Sequence, residues 1–85
     1  MIRIMFFAQL RELMKTDNLN FTLSEDKTTT VKDIVNDLEK DHEGLADYLK
    51  QGHQLLNAVN QKTVDVDHVL KSGDELALFP PVTGG

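Results

Sequence analysis

The 85-residue chain contains no cysteine, which excludes disulfides, thiolate nucleophiles and cysteine-ligated zinc. It has 9 basic residues against 14 acidic ones, a net charge of −5, and an acidic domain repels nucleic-acid backbones and anionic membrane surfaces. The short apolar run at residues 5–8 near the N-terminus does not suffice for a signal-peptide core or a membrane helix. We therefore expect a soluble cytoplasmic protein with neither nucleic acid nor membrane as its partner.

The apolar residues that are present, 40% of the chain, suffice for one compact core. Apolar side chains alternate from Ile2 to Phe6, as in a strand, and recur at helical spacing from Val31 to Leu38. Thr30 with Asp33 resembles a capping box that begins this main helix. The order of elements, β-α-β-α-β-β-β, is typical of an α+β domain with one main helix across a mixed sheet of about five strands.

The remaining elements are predicted from shorter patterns. A short helix follows the first strand at residues 10–14, and a second strand covers 19–23. Leu45, Tyr48 and Leu49 add a further helical segment. Strands are expected at 55–59, 63–66 and 75–79, with turns at 60–62 and 72–74. This domain spans residues 1–79, and residues 80–85 form an extended, flexible tail because two prolines end the last strand.

The side chains offer no convincing active site and no metal site. His42, His53 and His68 lie in polar segments without metal-ligand spacing, so we interpret them as solvated surface residues. Asp65 and Asp67 are interpreted as an exposed strand edge. The acidic face of the main helix is most simply a solvated surface; its members are Asp33, Asp37, Glu39 and Asp41.

The tail is the remaining candidate for chemistry. Its last two residues, Gly84 and Gly85, have no Cβ and can thread a channel that a branched residue would block. Six extended residues reach about 20 Å, enough to enter another protein's active site. The terminal carboxylate, with a reference pKa of about 3.5, is inert at neutral pH. It must be activated, and acyl-adenylation is the obvious route. A merely frayed end is the alternative interpretation.

Four segments carry the most specific signal of this chain. They are Met-Phe-Phe-Ala-Gln-Leu-Arg-Glu-Leu at 5–13, Leu-Leu-Asn-Ala-Val-Asn-Gln at 55–61, Ser-Gly-Asp-Glu at 72–75 and the ending Phe-Pro-Pro-Val-Thr-Gly-Gly at 79–85. Together they resemble the small, sulfur-carrying subunit of molybdopterin synthase, a ubiquitin-like β-grasp family. The resemblance extends along essentially the whole chain; it is most specific at the ending, and residues 24–52 match only in pattern.

The resemblance implies a non-catalytic sulfur donor within an enzyme complex. An adenylyltransferase similar to ubiquitin-activating enzymes would use ATP to adenylate Gly85, and a sulfur donor protein would convert it to a thiocarboxylate. The tail would then enter the synthase large subunit and give its sulfur to cyclic pyranopterin monophosphate, in a heterotetramer. No cofactor would be bound permanently. The inserted residues preceding Gly85 would be Pro80, Pro81, Val82, Thr83 and Gly84.

Three alternatives share the fold. A thiamine-pathway sulfur carrier also ends in Gly-Gly, but such carriers are usually shorter and lack the Phe-Pro-Pro approach. A ubiquitin-like protein modifier would join Gly85 to a lysine through an isopeptide bond. A β-grasp binding module would use the tail for no chemistry.

A docking surface is predicted beside the tail. If Ile2 and the residues alternating with it face the helix, Met5 and Phe7 face outward, and the last strand by the same rule turns Ala77 and Phe79 outward. The resemblance implies that these two strands are neighbours. We call Met5, Phe7, Ala77 and Phe79 the outer patch, and we expect it to bind both the activating enzyme and the large subunit.

Overall fold

The computed structural model describes residues 1–81, and what the sequence predicts for residues 82–85 lies outside that part of the chain. The described part contains five strands and three helices. In chain order they are β1 (Ile2–Phe6), α1 (Gln9–Met14), β2 (Asn18–Phe21), α2 (Val31–Asp41), α3 (Glu43–Lys50), β3 (Leu56–Val59), β4 (Lys62–Thr63) and β5 (Glu75–Phe79).

The strands form one mixed sheet in the order β2-β1-β5-β3-β4. β1 and β5 are parallel, and the other neighbouring pairs are antiparallel. Because parallel strands end at the same edge of a sheet, the chain leaves β1 beside the point where it leaves β5. The predicted α+β architecture is confirmed, including the neighbouring first and last strands.

The core lies between the sheet and the helices. Ile2, Ile4 and Phe6 of β1 are at most 2% exposed, which confirms the predicted inward face of that strand. Helix α2 buries its apolar stripe against this face, as its 3.6-residue periodicity requires. The buried cluster comprises Ile2, Ile4, Phe6, Leu10, Met14, Val31, Ile34, Leu38, Leu45, Val59, Leu70, Leu76 and Leu78.

Helix α2 begins at the predicted capping box. The Thr30 Oγ1 accepts a hydrogen bond from the Asp33 backbone N–H at 3.3 Å. In return, the Asp33 carboxylate accepts one from the Thr30 N–H at 2.9 Å. Two N–H groups that a helix start leaves without an intrahelical partner are thereby satisfied, which sets the first residue of α2.

The predicted strand at 63–66 is wrong beyond its first residue, because β4 contains only Lys62 and Thr63. The next residues turn away: the His68 N–H donates to the Asp65 carbonyl at 3.0 Å, and the Lys32 N–H donates to the Val66 carbonyl at 2.9 Å. Backbone groups that a longer strand would have paired thus bind the start of α2 instead. Strand β2 likewise ends two residues earlier than predicted.

The interpretation of His42 as an exposed residue is also wrong. It is half-buried between α2 and α3, and its Nδ1 lies 3.0 Å from the Leu38 carbonyl oxygen. The polar residues around His42 could not show this, because it lies at the junction between α2 and α3. His53 and His68 are exposed as predicted. Within residues 1–81, no helix is both long and apolar enough to cross a membrane.

Candidate docking surface and tail root

The outer patch lies on the sheet face opposite the helices. Met5 is directly opposite Ala77 in the parallel β1–β5 pair. The Phe7 N–H donates to the Leu78 carbonyl at 3.2 Å, which continues this pairing one residue past β1. Phe7 is 42% exposed, while the other three members are half-buried. The structure therefore brings the four predicted residues together on one surface; their docking role stays a prediction.

Leu56, which the sequence did not predict as a member, extends this surface across a third strand. It pairs with Phe79 and is 37% exposed. The sequence held one signal for it, because Leu56 lies within the strand predicted at residues 55–59. However, β3 inverts the usual pattern: Asn57 is buried on the inner face opposite Leu78, and Leu56 faces outward. Residue polarity alone would have assigned the two faces the wrong way round.

The outer face changes character along the strands. At the end far from the tail, the Arg3 guanidinium lies 3.9 Å from the Glu75 carboxylate, and both side chains are about half exposed. In the middle, Ala77 pairs with Ala58, two small side chains. At the tail end stand Phe7, Phe79 and Leu56. The largest apolar side chains of this face are therefore the nearest ones to the tail.

The tail root is the pair of prolines directly after β5. Pro80 is half-buried and Pro81 is exposed. Both line a groove of about 460 Å³ together with the start of α1, the side chain of Tyr48 and the loop at 52–54. We call this cavity the tail-root groove. The tail therefore starts between an apolar surface and a concave one.

Two of the residues that line the tail-root groove have unusual backbone dihedral angles. Ala8, before α1, has φ 55° and ψ −130°. Gly52, after α3, has φ 91°, a left-handed value that glycine adopts without strain. Both residues line the groove, Ala8 directly before α1 and Gly52 shortly after α3.

Among the described residues, the ionisable groups with a shifted pKa lie away from the tail root. No set of three or more His, Asp or Glu side chains in residues 1–81 is arranged to hold a metal ion. Two carboxyl groups have a shifted pKa. Hydrogen bonds from Thr30 lower the pKa of Asp33 below its ordinary value of 3.8. Burial by itself would raise the pKa of Asp74, but hydrogen bonds from Lys71 and Asn60 outweigh it and lower the value.

The Asp33 and Asp74 carboxylates hold structural positions, at the start of α2 and in the turn before β5. Neither contacts the tail root, so the lowered pKa values report hydrogen bonding in caps and turns.

The fold and this site together define a β-grasp protein of the ubiquitin-like class: a mixed five-stranded sheet with helices on one face, whose last strand runs into a tail. The profile of the ThiS family matches residues 4–85. Among curated relatives, the molybdopterin synthase sulfur carrier subunits of Escherichia coli and Haemophilus influenzae are 44% and 39% identical, each over 100% of both chains. A small archaeal modifier protein 3 from Haloferax volcanii is 30% identical over 99% of this chain and 98% of its own.

Solved structures agree on the fold. Small archaeal modifier protein 1 of H. volcanii superposes with a TM-score of 0.80 at 26% identity, over 95% of this chain and 97% of its own. A chain in the complex of subunits 1 and 2 of molybdopterin-converting factor from Helicobacter pylori gives a TM-score of 0.66 at 26% identity, over 99% and 97%. This chain belongs to the ThiS family, and the resemblance stated from its sequence is confirmed.

Proposed function

We propose that the protein is the sulfur-carrier subunit of a molybdopterin synthase. The observation that carries the proposal is the full-length similarity to two bacterial subunits of that name, at 44% and 39% identity. The site supports it, because the last strand delivers the tail from a surface with exposed aromatic and aliphatic side chains. The H. pylori complex supports a second subunit as the partner.

The reaction begins with the inert Gly85 carboxylate. An adenylyltransferase would join it to the α-phosphate of ATP, releasing pyrophosphate and giving an acyl-adenylate with AMP as leaving group. Sulfide supplied by a sulfur donor protein would then attack the same carbonyl carbon and expel AMP, so that a C–S bond replaces the C–O bond to AMP and a terminal thiocarboxylate remains. Without any cysteine, this chain can carry sulfur only in such a form. The large subunit would transfer the sulfur to cyclic pyranopterin monophosphate.

The geometry supports different roles for the domain and for the tail in this reaction. The rigid domain ends at β5, and the outer patch lies immediately before the tail. A partner that grips the patch therefore fixes the start of the tail, so that only six residues remain to be guided to the reacting atoms. Positioning of this kind converts a diffusive encounter into an oriented one. In the assembly that we propose, two such subunits dock at opposite ends of a large-subunit dimer.

Changing the end of the tail tests this proposal. Deleting Gly85, or adding one residue after it, should abolish sulfur loading while leaving the fold intact, because the reacting carbonyl is misplaced by about 3.3 Å. Co-expression with the activating enzyme followed by intact mass measurement detects the replacement of oxygen by sulfur. Circular dichroism provides the control for folding. Full sulfur loading in either variant would falsify the role of Gly85.

A protein modifier is the second candidate, and the similarity to the H. volcanii modifier favours it. In that case Gly85 would form an isopeptide bond with a lysine. The same co-expression separates the two: conjugates of high mass indicate a modifier, and a mass change on the free chain indicates a carrier. A thiamine-pathway carrier is distinguished by supplying purified large subunit and cyclic pyranopterin monophosphate and measuring molybdopterin formation.

A further inference from the structure

The tail-root groove is a concave surface that the proposed function does not yet use. It shares no residue with the outer patch, yet the two are adjacent in the chain: Phe79 belongs to the patch and Pro80 lines the groove. Any protein that covers one of them and encloses the tail must also approach the other.

One wall of the groove is a pair of stacked rings. The ring centroids of Tyr48 and His53 are 4.4 Å apart, with 19° between the ring planes. Tyr48 is half-buried and packs against the core cluster, whereas His53 is exposed. The stack therefore connects the exposed imidazole to the rigid interior. A side chain that is already held in place loses less conformational entropy when a partner binds.

The length of the tail indicates which part of a partner protein lies against this wall of the groove. Four residues follow Pro81, and they reach only about 13 Å when extended. An enzyme whose reacting atoms lie deeper than that must take in Pro81, and then Pro80, as well. The rim of its channel then lies against the other walls of the groove.

The chemical character of the groove walls indicates what kind of partner loop they can bind. Although the chain has a net charge of −5, none of the described residues lining this groove is Asp, Glu, Lys or Arg. The groove offers amides from Gln9 and Gln54, a phenol, an imidazole and two proline rings. Such a surface suits an uncharged loop with hydrogen-bonding groups and an apolar side chain, since a charged loop would lose water without gaining a partner.

We propose that the tail-root groove seats an uncharged loop at the rim of the large subunit's tail channel, with the Tyr48–His53 stack as its main contact. This inference rests on the proposed function, because it takes the large subunit as the partner. Binding would then use two surfaces next to the tail: the outer patch, which is apolar, and the groove, which is concave and lined by none of Asp, Glu, Lys or Arg.

The test compares two exposed histidines. His53→Ala removes the outer ring of the stack, and His68→Ala is the matched control, since His68 does not line the groove. Isothermal titration calorimetry with purified large subunit should show about 5- to 10-fold weaker binding for His53→Ala and an unchanged Kd for His68→Ala. Gln54→Arg, which places a charge in the groove, should weaken binding similarly. Thermal unfolding checks that all three variants are folded.

Several outcomes would overturn the inference. Equal affinity of the two histidine variants would show that the groove makes no contact. If truncation after Pro81 shifts the NMR signals of Tyr48 and His53 in the free chain, the groove holds the chain's own tail. A dimer of the free chain that His53→Ala dissociates would assign the groove to a second copy. If the wild-type chain does not bind the large subunit at all, the proposed function fails rather than this inference.

Discussion

At the scale of single residues, Ala8 is the most unusual position in the described part of the chain. Its φ of 55° and ψ of −130°, with the Leu10 N–H donating to the Phe7 carbonyl at 3.1 Å, define a type II′ turn with Ala8 at its first central position. That position favours glycine, because a Cβ is strained at positive φ. The turn ends β1 and leaves Phe7 exposed.

Replacing Ala8 by glycine should relieve this strain. We expect the free energy of unfolding to rise by about 1 kcal/mol, the relief at positive φ less the entropic cost of glycine. Urea unfolding measures it. Ala8→Val is the opposite control and should destabilise, since a β-branched side chain is disfavoured still more strongly at this φ. A lower stability of Ala8→Gly would mean that the turn stores no strain.

At the scale of elements, two turns are joined by side chains. The turn between β3 and β4 consists of Asn60 and Gln61, with φ of 51° and 72°, as in the type I′ hairpin turn. The Asn60 amide donates to the Asp74 carboxylate at 2.9 Å and accepts from the Glu75 N–H at 3.0 Å. The second Asp74 oxygen accepts from the Lys71 N–H at 2.8 Å. These bonds hold the start of β5 against the hairpin and favour the ionised form of Asp74.

Stability should therefore depend on pH. The pKa of Asp74 and that of Asp33 lie below the ordinary value of 3.8 in the folded chain. Below 3.8 the unfolded state binds more protons than the folded state, so stability rises with pH in that region. The contribution is complete above 3.8 and is lost as the pH falls through the folded pKa.

Urea unfolding at a series of pH values from about 5 to about 3 measures this dependence. The decrease in stability should be smaller in Asp74→Asn and in Asp33→Asn than in the wild-type chain, because neither amide side chain titrates. A decrease of unchanged size in both variants would assign the acid sensitivity to other carboxyl groups.

At the scale of the whole molecule, the sheet separates two tasks. Its inner face holds the core, with Phe6 at 2% exposure, while its outer face presents Phe7 at 42%. Phe6 therefore contributes to the core, while Phe7, one residue past β1, belongs to the surface for which we predict docking, since side chains alternate between the faces. The same alternation in β5 places Leu78 in the core and Phe79 in the outer patch beside the tail.

Phe79→Ala should separate these tasks. We expect about tenfold weaker binding to both the activating enzyme and the large subunit, with only a modest loss of stability. Phe7→Ala should behave in the same way, and the two partners should compete for the wild-type chain. Phe6→Ala is the matched control and should cost about 3–5 kcal/mol of stability.

Two results would contradict this division. If Phe79→Ala unfolds the domain, its side chain belongs to the core. If neither affinity nor stability changes, the outer patch is not the docking surface. Calorimetric titration together with thermal unfolding distinguishes these cases.

The sequence by itself determined those secondary-structure elements that are encoded by patterns of neighbouring residues. The alternation in β1 and β5, the helical stripe of α2 and the Thr30–Asp33 capping box follow from neighbouring residues, and all three are confirmed. The inward and outward faces of β1 and β5 follow from the same alternation. Successive side chains of a strand point to opposite faces of the sheet, so once the apolar set faces the core the other residues must face outward. The family resemblance, which rests on short segments of high specificity, then gave the fold and the neighbouring positions of β1 and β5.

Only the tertiary structure decided what depends on pairing between distant segments. The early end of β4 results from hydrogen bonds between residues 65–68 and the start of α2, which no local pattern encodes. Leu56 lies on the outer face of the sheet beside Phe79 because β3 pairs with β5 in a register that buries Asn57 and exposes the leucine. The tail-root groove needs the start of α1, the end of α3 and the two prolines to converge, and residues as far apart as Ala8 and Pro80 meet only when the chain has folded.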